Sequence, residues 1–148
     1  MHDDLRRQEL EMLDCLMEFD RAYEAYARSA GLTYFSLSVL EMIYRNDGAC
    51  TQKSVSEGLM CPKQSVNLIV REWLDDGYLA LVPLDSDRRN KRICLTDKGR
   101  DYAGRIIGRL ERADESAFSR LTVDDREAFV RFAKIYTSAF SEEIAKLC

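Results

Sequence analysis

The feature that most constrains the fold is a change in apolar periodicity near the middle of the chain. Thr51 and Pro62 are start signals for two helices that are separated by residues 59–61. Directly afterwards the apolar residues alternate along residues 78–82 and 92–95, which is the pattern of two strands. A two-stranded hairpin is marginally stable when isolated in water. The sequence therefore predicts a helix-turn-helix followed by a hairpin that packs on its helices.

Helical periodicity extends over most of the remaining chain. The predicted helices cover residues 4–29, 34–46, 52–58, 62–76, 97–118 and 123–146. The first is apolar on two adjacent lines, and the last carries Phe129, Phe132, Tyr136 and Phe140. One small lobe does not need this much apolar surface, so the pattern favours a homodimer over an intramolecular helical pair. The predicted fold class is mainly α with a small β-hairpin wing (α+β), in a single domain of residues 1–148.

Net charge does not by itself identify a partner. The chain carries −4, which disfavours binding to a polyanion. Residues 51–105, however, hold ten Lys and Arg against eight Asp and Glu, a balance of +2, while the rest carries −6. The mild basic excess therefore coincides with the predicted helix-turn-helix and hairpin.

Residues that carry redox, metal or acid–base chemistry are scarce. The five cysteines are an odd number without a C-x-x-C pair, a poor framework for disulfides or zinc. The single histidine, His2, lies close to the N-terminus. These counts predict no cofactor, no metal site and no enzyme. Free thiols and the lack of a long apolar run predict a cytoplasmic protein without a membrane span.

The second helix of the pair has the composition of a helix that enters the DNA major groove. Its predicted contact residues are Lys63, Gln64, Ser65, Asn67 and Arg71. Gln and Asn can hydrogen-bond an adenine edge, and Lys or Arg a guanine edge. The start of the preceding helix supplies three more predicted contacts, Thr51, Gln52 and Lys53. A merely solvated helix face is the alternative, because every surface helix has one.

The loop between the two strands is the stronger signal for DNA. Residues 87–92 place four cations and one anion in six positions. A basic tip beside such a helix can enter the minor groove, where the negative potential attracts arginine. The alternative is a loop that only aids solubility. The predicted DNA contacts are Arg88, Arg89, Asn90, Lys91 and Arg92, with Asp85 and Asp87 pairing with the arginines.

Four stretches of the sequence resemble the MarR family of bacterial regulators. They are residues 62–67, 74–79, 87–92 and 95–99, and the Asp-Arg-Arg wing followed by Leu-Thr-x-x-Gly is the most specific. The similarity covers about residues 32–103. It departs from the common pattern at Cys61, where Ser or Thr often caps the helix, and at Thr33-Tyr34-Phe35.

The resemblance implies a winged helix-turn-helix lobe over about 32–103 and dimerisation helices over about 4–30 and 104–148. The implied partners are a second copy of the chain and a pseudo-palindromic operator in double-stranded DNA. Relatives also bind small, often aromatic, ligands between the dimer helices and the lobe, which weakens DNA binding. The candidate effector residues here are Tyr23, Tyr34, Phe35 and Met42.

Some relatives sense oxidants through a cysteine of the first helix, where this chain has Cys15. A reactive thiol needs nearby cations or a helix N-terminus. Cys15 instead lies in mid-helix between Asp14 and Glu18. We therefore expect a small buried apolar side chain rather than a redox site.

The sequence thus predicts a sequence-specific DNA-binding transcriptional regulator, a homodimeric repressor released by a small ligand. Two alternatives of the same fold stay open. One is a thiol-based redox-sensing regulator. The other is a winged-helix module for protein contacts that does not bind DNA, although such a module leaves the basic tip unexplained.

Overall fold

The computed structural model describes residues 2–84 and 90–147. Its elements are α1 (His2–Ser29), α2 (Tyr34–Arg45), β1 (Cys50–Thr51), α3 (Gln52–Gly58), α4 (Lys63–Asp75), β2 (Leu79–Pro83), β3 (Lys91–Leu95), α5 (Asp97–Phe118) and α6 (Val123–Ala145). The predicted fold class is confirmed. The chain forms two compact units, one up to residue 107 and one from residue 108 onward. None of the helices in the described ranges is long and apolar enough to cross a membrane.

The helices begin where threonine side chains cap them. The Thr33 hydroxyl accepts the backbone N–H of Ser36 at the start of α2, and Thr122 accepts that of Asp125 at the start of α6. Thr51 forms a capping box at the start of α3, with its partner three residues ahead. A helix begins with four unsatisfied N–H groups, so each cap removes part of a local cost. All predicted helix boundaries agree with the structure to within two residues.

Within the described residues, the sheet has three strands rather than the predicted two. Leu79 lies opposite Leu95, and Leu81 opposite Ile93, in the antiparallel β2–β3 hairpin. The additional strand is β1, which pairs antiparallel with β3 on its other edge and gives the order β1-β3-β2. Two residues are too short to show a period, so the sequence carried no signal for this strand. β1 ties the start of α3 directly to the wing.

The core of the first unit lies between α2, the helix pair and the sheet. Side chains with no exposed surface come from every one of these layers: Leu37, Ile43, Val55, Val66, Val70 and Ile93. Ile107 of α5 and Ala27 of α1 are buried as well. Helices therefore cover the inner face of the hairpin, and the burial of this face supplies stability that an isolated hairpin lacks.

The second unit consists of the end of α5 and all of α6. The rings of Phe118 and Phe129 meet edge to face, with centroids 6.1 Å apart. α6 has no buried side chain, and Phe129, Phe132 and Ile135 are each 60% exposed. Within the second unit, these apolar side chains of α6 are therefore left uncovered.

A close backbone approach joins the end of α4 to the start of α5. The Thr96 hydroxyl donates to the Gly77 carbonyl (2.7 Å) and accepts the Gly99 N–H (3.0 Å). The Thr96 backbone N–H donates to the Tyr78 carbonyl (3.0 Å). A Cβ atom on Gly99 would lie only 1.9 Å from that carbonyl oxygen. We call residues 77–78 and 96–99 the α4–α5 clamp; its geometry requires glycine at position 99.

Replacement of Gly99 by alanine tests this clamp. Gly99→Ala must displace the Tyr78 backbone, so we expect the free energy of unfolding to fall by about 1–3 kcal/mol, the range for overpacking. Gly104→Ala in the same helix is the matched control, because its Cβ would meet only the Tyr44 side chain, with the hydroxyl oxygen at 3.8 Å and a ring carbon at 4.0 Å. The control is expected to be neutral or to stabilise by about 0.5–1 kcal/mol. Urea unfolding followed by circular dichroism measures both, and equal losses would contradict the clamp.

Candidate DNA interface

The turn between α3 and α4 sets the position of α4. Cys61 donates its backbone N–H to the Ser56 carbonyl (3.0 Å), and Met60 adopts a left-handed conformation with φ of 49°. Pro62 has φ −60° and ψ 135° and is the N-cap of α4, one residue before the helix in which we expected it. Cys61 therefore does not take the cap position that the resemblance suggested. No side chain of the described residues caps this helix, and the Ser65 N–H donates to the Pro62 carbonyl (3.0 Å).

Burial divides α4 into two faces, as predicted. Val66, Val70 and Trp73 are buried against the rest of the first unit. The opposite face is exposed and carries Lys63, Gln64, Asn67 and Arg71, while Ser65 is half-buried at its margin. The donors at 63, 64 and 67 stand in the first half of the helix, where a helix that enters a groove end-on makes its base contacts.

Six of the predicted DNA contacts surround one small pocket. Its volume is about 150 Å³, and its lining residues are Thr51, Gln52, Lys53, Lys63, Leu81, Asn90 and Lys91. The pocket lies where the starts of α3 and α4 meet the loop end of the hairpin. The sequence alone could not predict that these three segments come together. None of these lining residues is acidic. Three lysines around one opening form a local positive field that suits a phosphate backbone.

The pairing of Lys53 leaves it available to an anion. Its Nζ lies 3.6 Å from Glu57 Oε1 one turn along α3, with both side chains exposed. Such exposed helical pairs contribute about 0.3–0.5 kcal/mol. Exchange of this carboxylate for a DNA phosphate therefore costs little.

The sequence predicts five DNA contacts on the hairpin, and the structure describes three of them, Asn90, Lys91 and Arg92. Arg92 is half-buried on β3, opposite Thr51 on one side and Val82 on the other. The Asn90 carbonyl accepts the Leu84 N–H (2.9 Å) at the base of the loop. Arg88 and Arg89, with Asp85 and Asp87, lie outside the described residues. Their DNA contacts and ion pairs stay predictions.

Sequence reasoning missed Leu68 on the same surface. This side chain on α4 is 72% exposed, and it lies one turn after Gln64 and three residues before Arg71. A helical projection at about 100° per residue would have placed it opposite the buried residues. The prediction from the sequence assigned Leu68 neither to the apolar face of α4 nor to the DNA contacts.

Two of the four candidate effector residues come together between α1 and α2. The rings of Tyr23 and Tyr34 are tilted, with centroids 4.9 Å apart. Tyr23 donates to Glu41 (2.6 Å) and Tyr34 to Asp20 (3.2 Å). Burial raises the pKa of both phenols above the ordinary tyrosine value, and the adjacent carboxylates raise each pKa further. Both hydroxyls are therefore neutral donors near pH 7.

The other two effector candidates do not share this contact. Met42 lies beside Gly58, where a Cβ would approach its terminal methyl to 2.7 Å, so it fills the junction of α2 and α3. Phe35 is half-buried on α2. The cluster that the structure supports consists of Tyr23, Tyr34 and the two carboxylates.

Cys15 corrects one expectation. We predicted a buried side chain, and the structure shows an exposed one. The reason is that the described residues of the first unit leave this part of α1 uncovered, so Leu13, Leu16 and Met17 are exposed beside it. A single amphipathic helix indicates which face is apolar but not what covers it.

Part of this chain is similar to one protein family. Residues 30–90 match the model of the MarR family. The chain is 25% identical over 92 residues to YwhA of Bacillus subtilis (strain 168), described as an uncharacterized HTH-type transcriptional regulator. That match covers 62% of this chain and 66% of YwhA, just under two thirds of the relative's length.

Solved structures share the fold at low sequence identity. Streptococcus pneumoniae FabT in complex with DNA has a TM-score of 0.73 at 19% identity, over 95% of this chain and 99% of FabT. S. aureus MepR, also in a DNA complex, has a TM-score of 0.66 at 16% identity, over 84% of this chain and 95% of MepR. The matched segment includes α3 and α4, the lining of the three-lysine pocket except Lys91, and β2, so over residues 30–90 this chain is similar to the MarR family, and it shares the fold of these solved structures.

Proposed function

We propose that this chain is a sequence-specific double-stranded DNA-binding regulator that acts as a homodimeric repressor on a pseudo-palindromic operator. The observation that carries the proposal is the exposed polar face of α4 beside the three-lysine pocket. Such a regulator works in the cytoplasm and needs no catalytic group. A winged helix used only for protein contacts has no need of this basic surface.

The dimensions and chemistry of α4 suit a major groove. Its 13 residues form a rod about 20 Å long, and a groove about 12 Å wide admits one helix. Gln64 and Asn67 can make paired hydrogen bonds to adenine, and Arg71 to guanine. The acidic residues of α4, Glu72 and Asp75, lie in its last turn, away from the donors of the first half.

The lysines of the pocket have a different role. Lys53, Lys63 and Lys91 come from α3, α4 and β3, and so fix the lobe on the duplex from three directions. Contacts of this kind set position and affinity without selecting sequence. Their release of counterions makes binding steeply salt-dependent.

Exposed apolar residues on two long helices support the dimer. α1 exposes Leu16 (54%) and Phe19 (63%), and α6 exposes Phe132 (60%) and Phe140 (54%). Each buried side chain of this size contributes about 1.5–3 kcal/mol. A second copy can cover both helices, and a two-fold pair places two α4 helices for two half-sites about one DNA turn apart.

Salt and sequence dependence test DNA binding. We expect the affinity of the full chain for duplexes selected from a random-sequence library to fall steeply with salt. Lys53→Ala weakens binding to all sequences and lowers the salt slope by about one per subunit. Asn67→Ala removes about 1–3 kcal/mol of discrimination at one base position and keeps the slope. Fluorescence anisotropy measures both quantities.

The control for these variants is Arg105→Ala, an exposed cation of α5 outside the pocket. It is expected to change neither slope nor specificity. Affinity that does not depend on salt, or failure to enrich any duplex, would contradict the proposal and favour the protein-interaction alternative.

Sedimentation equilibrium tests the dimer. Phe132→Glu places a charge on the exposed apolar face of α6 and is expected to shift the chain from dimer to monomer, because burying an unpaired carboxylate is costly. The control, Arg105→Glu, also introduces a glutamate, but at an exposed polar position, and is expected to leave the dimer intact. A wild-type chain that sediments as a monomer would refute this part.

The tyrosine pair supports a small aromatic effector. Tyr23 and Tyr34 offer two ring faces, while Asp20 and Glu41 line the same cluster with carboxylates. Arg45 pairs with Glu41 at 2.7 Å, so part of this negative charge is offset. The remaining negative charge favours a neutral or cationic aromatic ligand over an anionic one. A cationic ligand is also attracted to the faces of the two tyrosine rings through cation–π interactions.

A matched panel of benzoate, benzyl alcohol and benzylamine tests the effector. We expect benzylamine to weaken DNA binding most and benzoate least. Tyr34→Ala should remove the response while leaving DNA affinity in the absence of ligand unchanged. An equal response in Tyr34→Ala, or a benzoate effect that exceeds that of benzylamine, would contradict this assignment.

A further inference from the structure

Leu68 occupies an unusual place on the exposed side of α4. Its side chain is 72% exposed. Helical geometry puts it four residues after Gln64 and three before Arg71, so the three share one outward stripe. The buried residues Val66, Val70 and Trp73 lie on the opposite side. Leu68 thus stands in the middle of the polar face and has no role in the core.

Exposed apolar residues are rare in this part of the chain. Among the described residues from 30 to 107, the large apolar or aromatic side chains that are exposed are Tyr34, Met60 and Leu68. Tyr34 hydrogen-bonds Asp20, and Met60 belongs to the turn before α4. A single exposed leucine needs no explanation in general. This one lies among the very donors that are proposed to contact bases, so its partner must offer an isolated apolar group among hydrogen-bonding groups.

The surface of Leu68 does not suit a protein or membrane contact. Such contacts need a contiguous apolar patch, whereas the neighbours of Leu68 on the outward face are Gln64, Arg71 and Glu72. The long apolar faces of the chain are on α1 and α6 instead. Nearby Lys63 and the other pocket lysines favour a polyanion beside it.

One edge of duplex DNA has this combination of groups. In the major groove a T·A pair presents hydrogen-bond acceptors, one donor and the C5 methyl group of thymine. We propose that Leu68 is a specificity-determining residue that packs on a thymine methyl group, while Gln64 and Arg71 hydrogen-bond the flanking positions. This inference rests on the proposed function and adds a base preference to it.

The test removes the methyl group and nothing else. The full chain first selects duplexes from a random-sequence library. The enriched duplex is then synthesised with deoxyuridine replacing one thymidine at a time, which keeps every base-pairing group. We expect one position in each half-site where the wild-type chain loses about fourfold in affinity, the factor for one CH₂-sized group leaving an apolar contact. Leu68→Ala binds both duplexes equally at that position, and Leu68→Met retains the preference.

Two controls accompany these variants. Met60→Ala removes the other strongly exposed apolar side chain of the lobe and is expected to keep the thymidine preference. Thermal unfolding checks that Leu68→Ala folds as the wild-type chain does, which its exposure predicts.

Each remaining outcome overturns the inference in a distinguishable way. A selected duplex in which no thymidine responds to loss of its methyl group, or a response that persists in Leu68→Ala, leaves DNA binding intact and removes Leu68 from base recognition. A change of oligomeric state in Leu68→Ala assigns the side chain to a protein contact. Failure to enrich any duplex refutes the proposed function, and the role of Leu68 with it.

Discussion

The contact on which the first unit most depends is the α4–α5 clamp. Thr96 hydrogen-bonds the carbonyls of Gly77 and Tyr78, which lie just after α4. Gly99 has no Cβ, so the first turn of α5 can contact the Tyr78 carbonyl. Asp47 extends the contact, because its carboxylate accepts the Leu95 N–H (2.8 Å) and binds the Arg100 guanidinium. The clamp thereby holds α4, the wing strand β3 and the start of α5 in one rigid arrangement, on which any DNA-contacting surface relies.

This arrangement separates two tasks on one surface. Lysines from three elements surround the pocket at the starts of α3 and α4, where they suit phosphates. The outward stripe of α4 carries the groups that can distinguish bases, Gln64 and Arg71 with Leu68 between them. The overall charge of −4 is therefore a poor guide to partners, because acidic residues dominate outside the lobe while cations concentrate around one opening.

Much of the candidate site was predictable because local rules determine it. The capping threonines contact groups three residues away, and the two faces of α4 follow from helical periodicity. The convergence of Lys53, Lys63 and Lys91 was not predictable, because it depends on how α3 and β3 pack. The same holds for the exposure of Cys15, because an amphipathic pattern does not say what covers the apolar side of a helix.

The sequence by itself determined where the helices begin and end, which face of α4 is polar, and where the two strands of the hairpin lie. These properties depend on neighbours a few residues apart and on simple periods. Only the tertiary structure decided that β1 joins the sheet, that Gly99 has no room for a side chain, and that Lys53, Lys63 and Lys91 surround one pocket. Each of these depends on contacts between segments distant in the chain, whose distances no local pattern encodes.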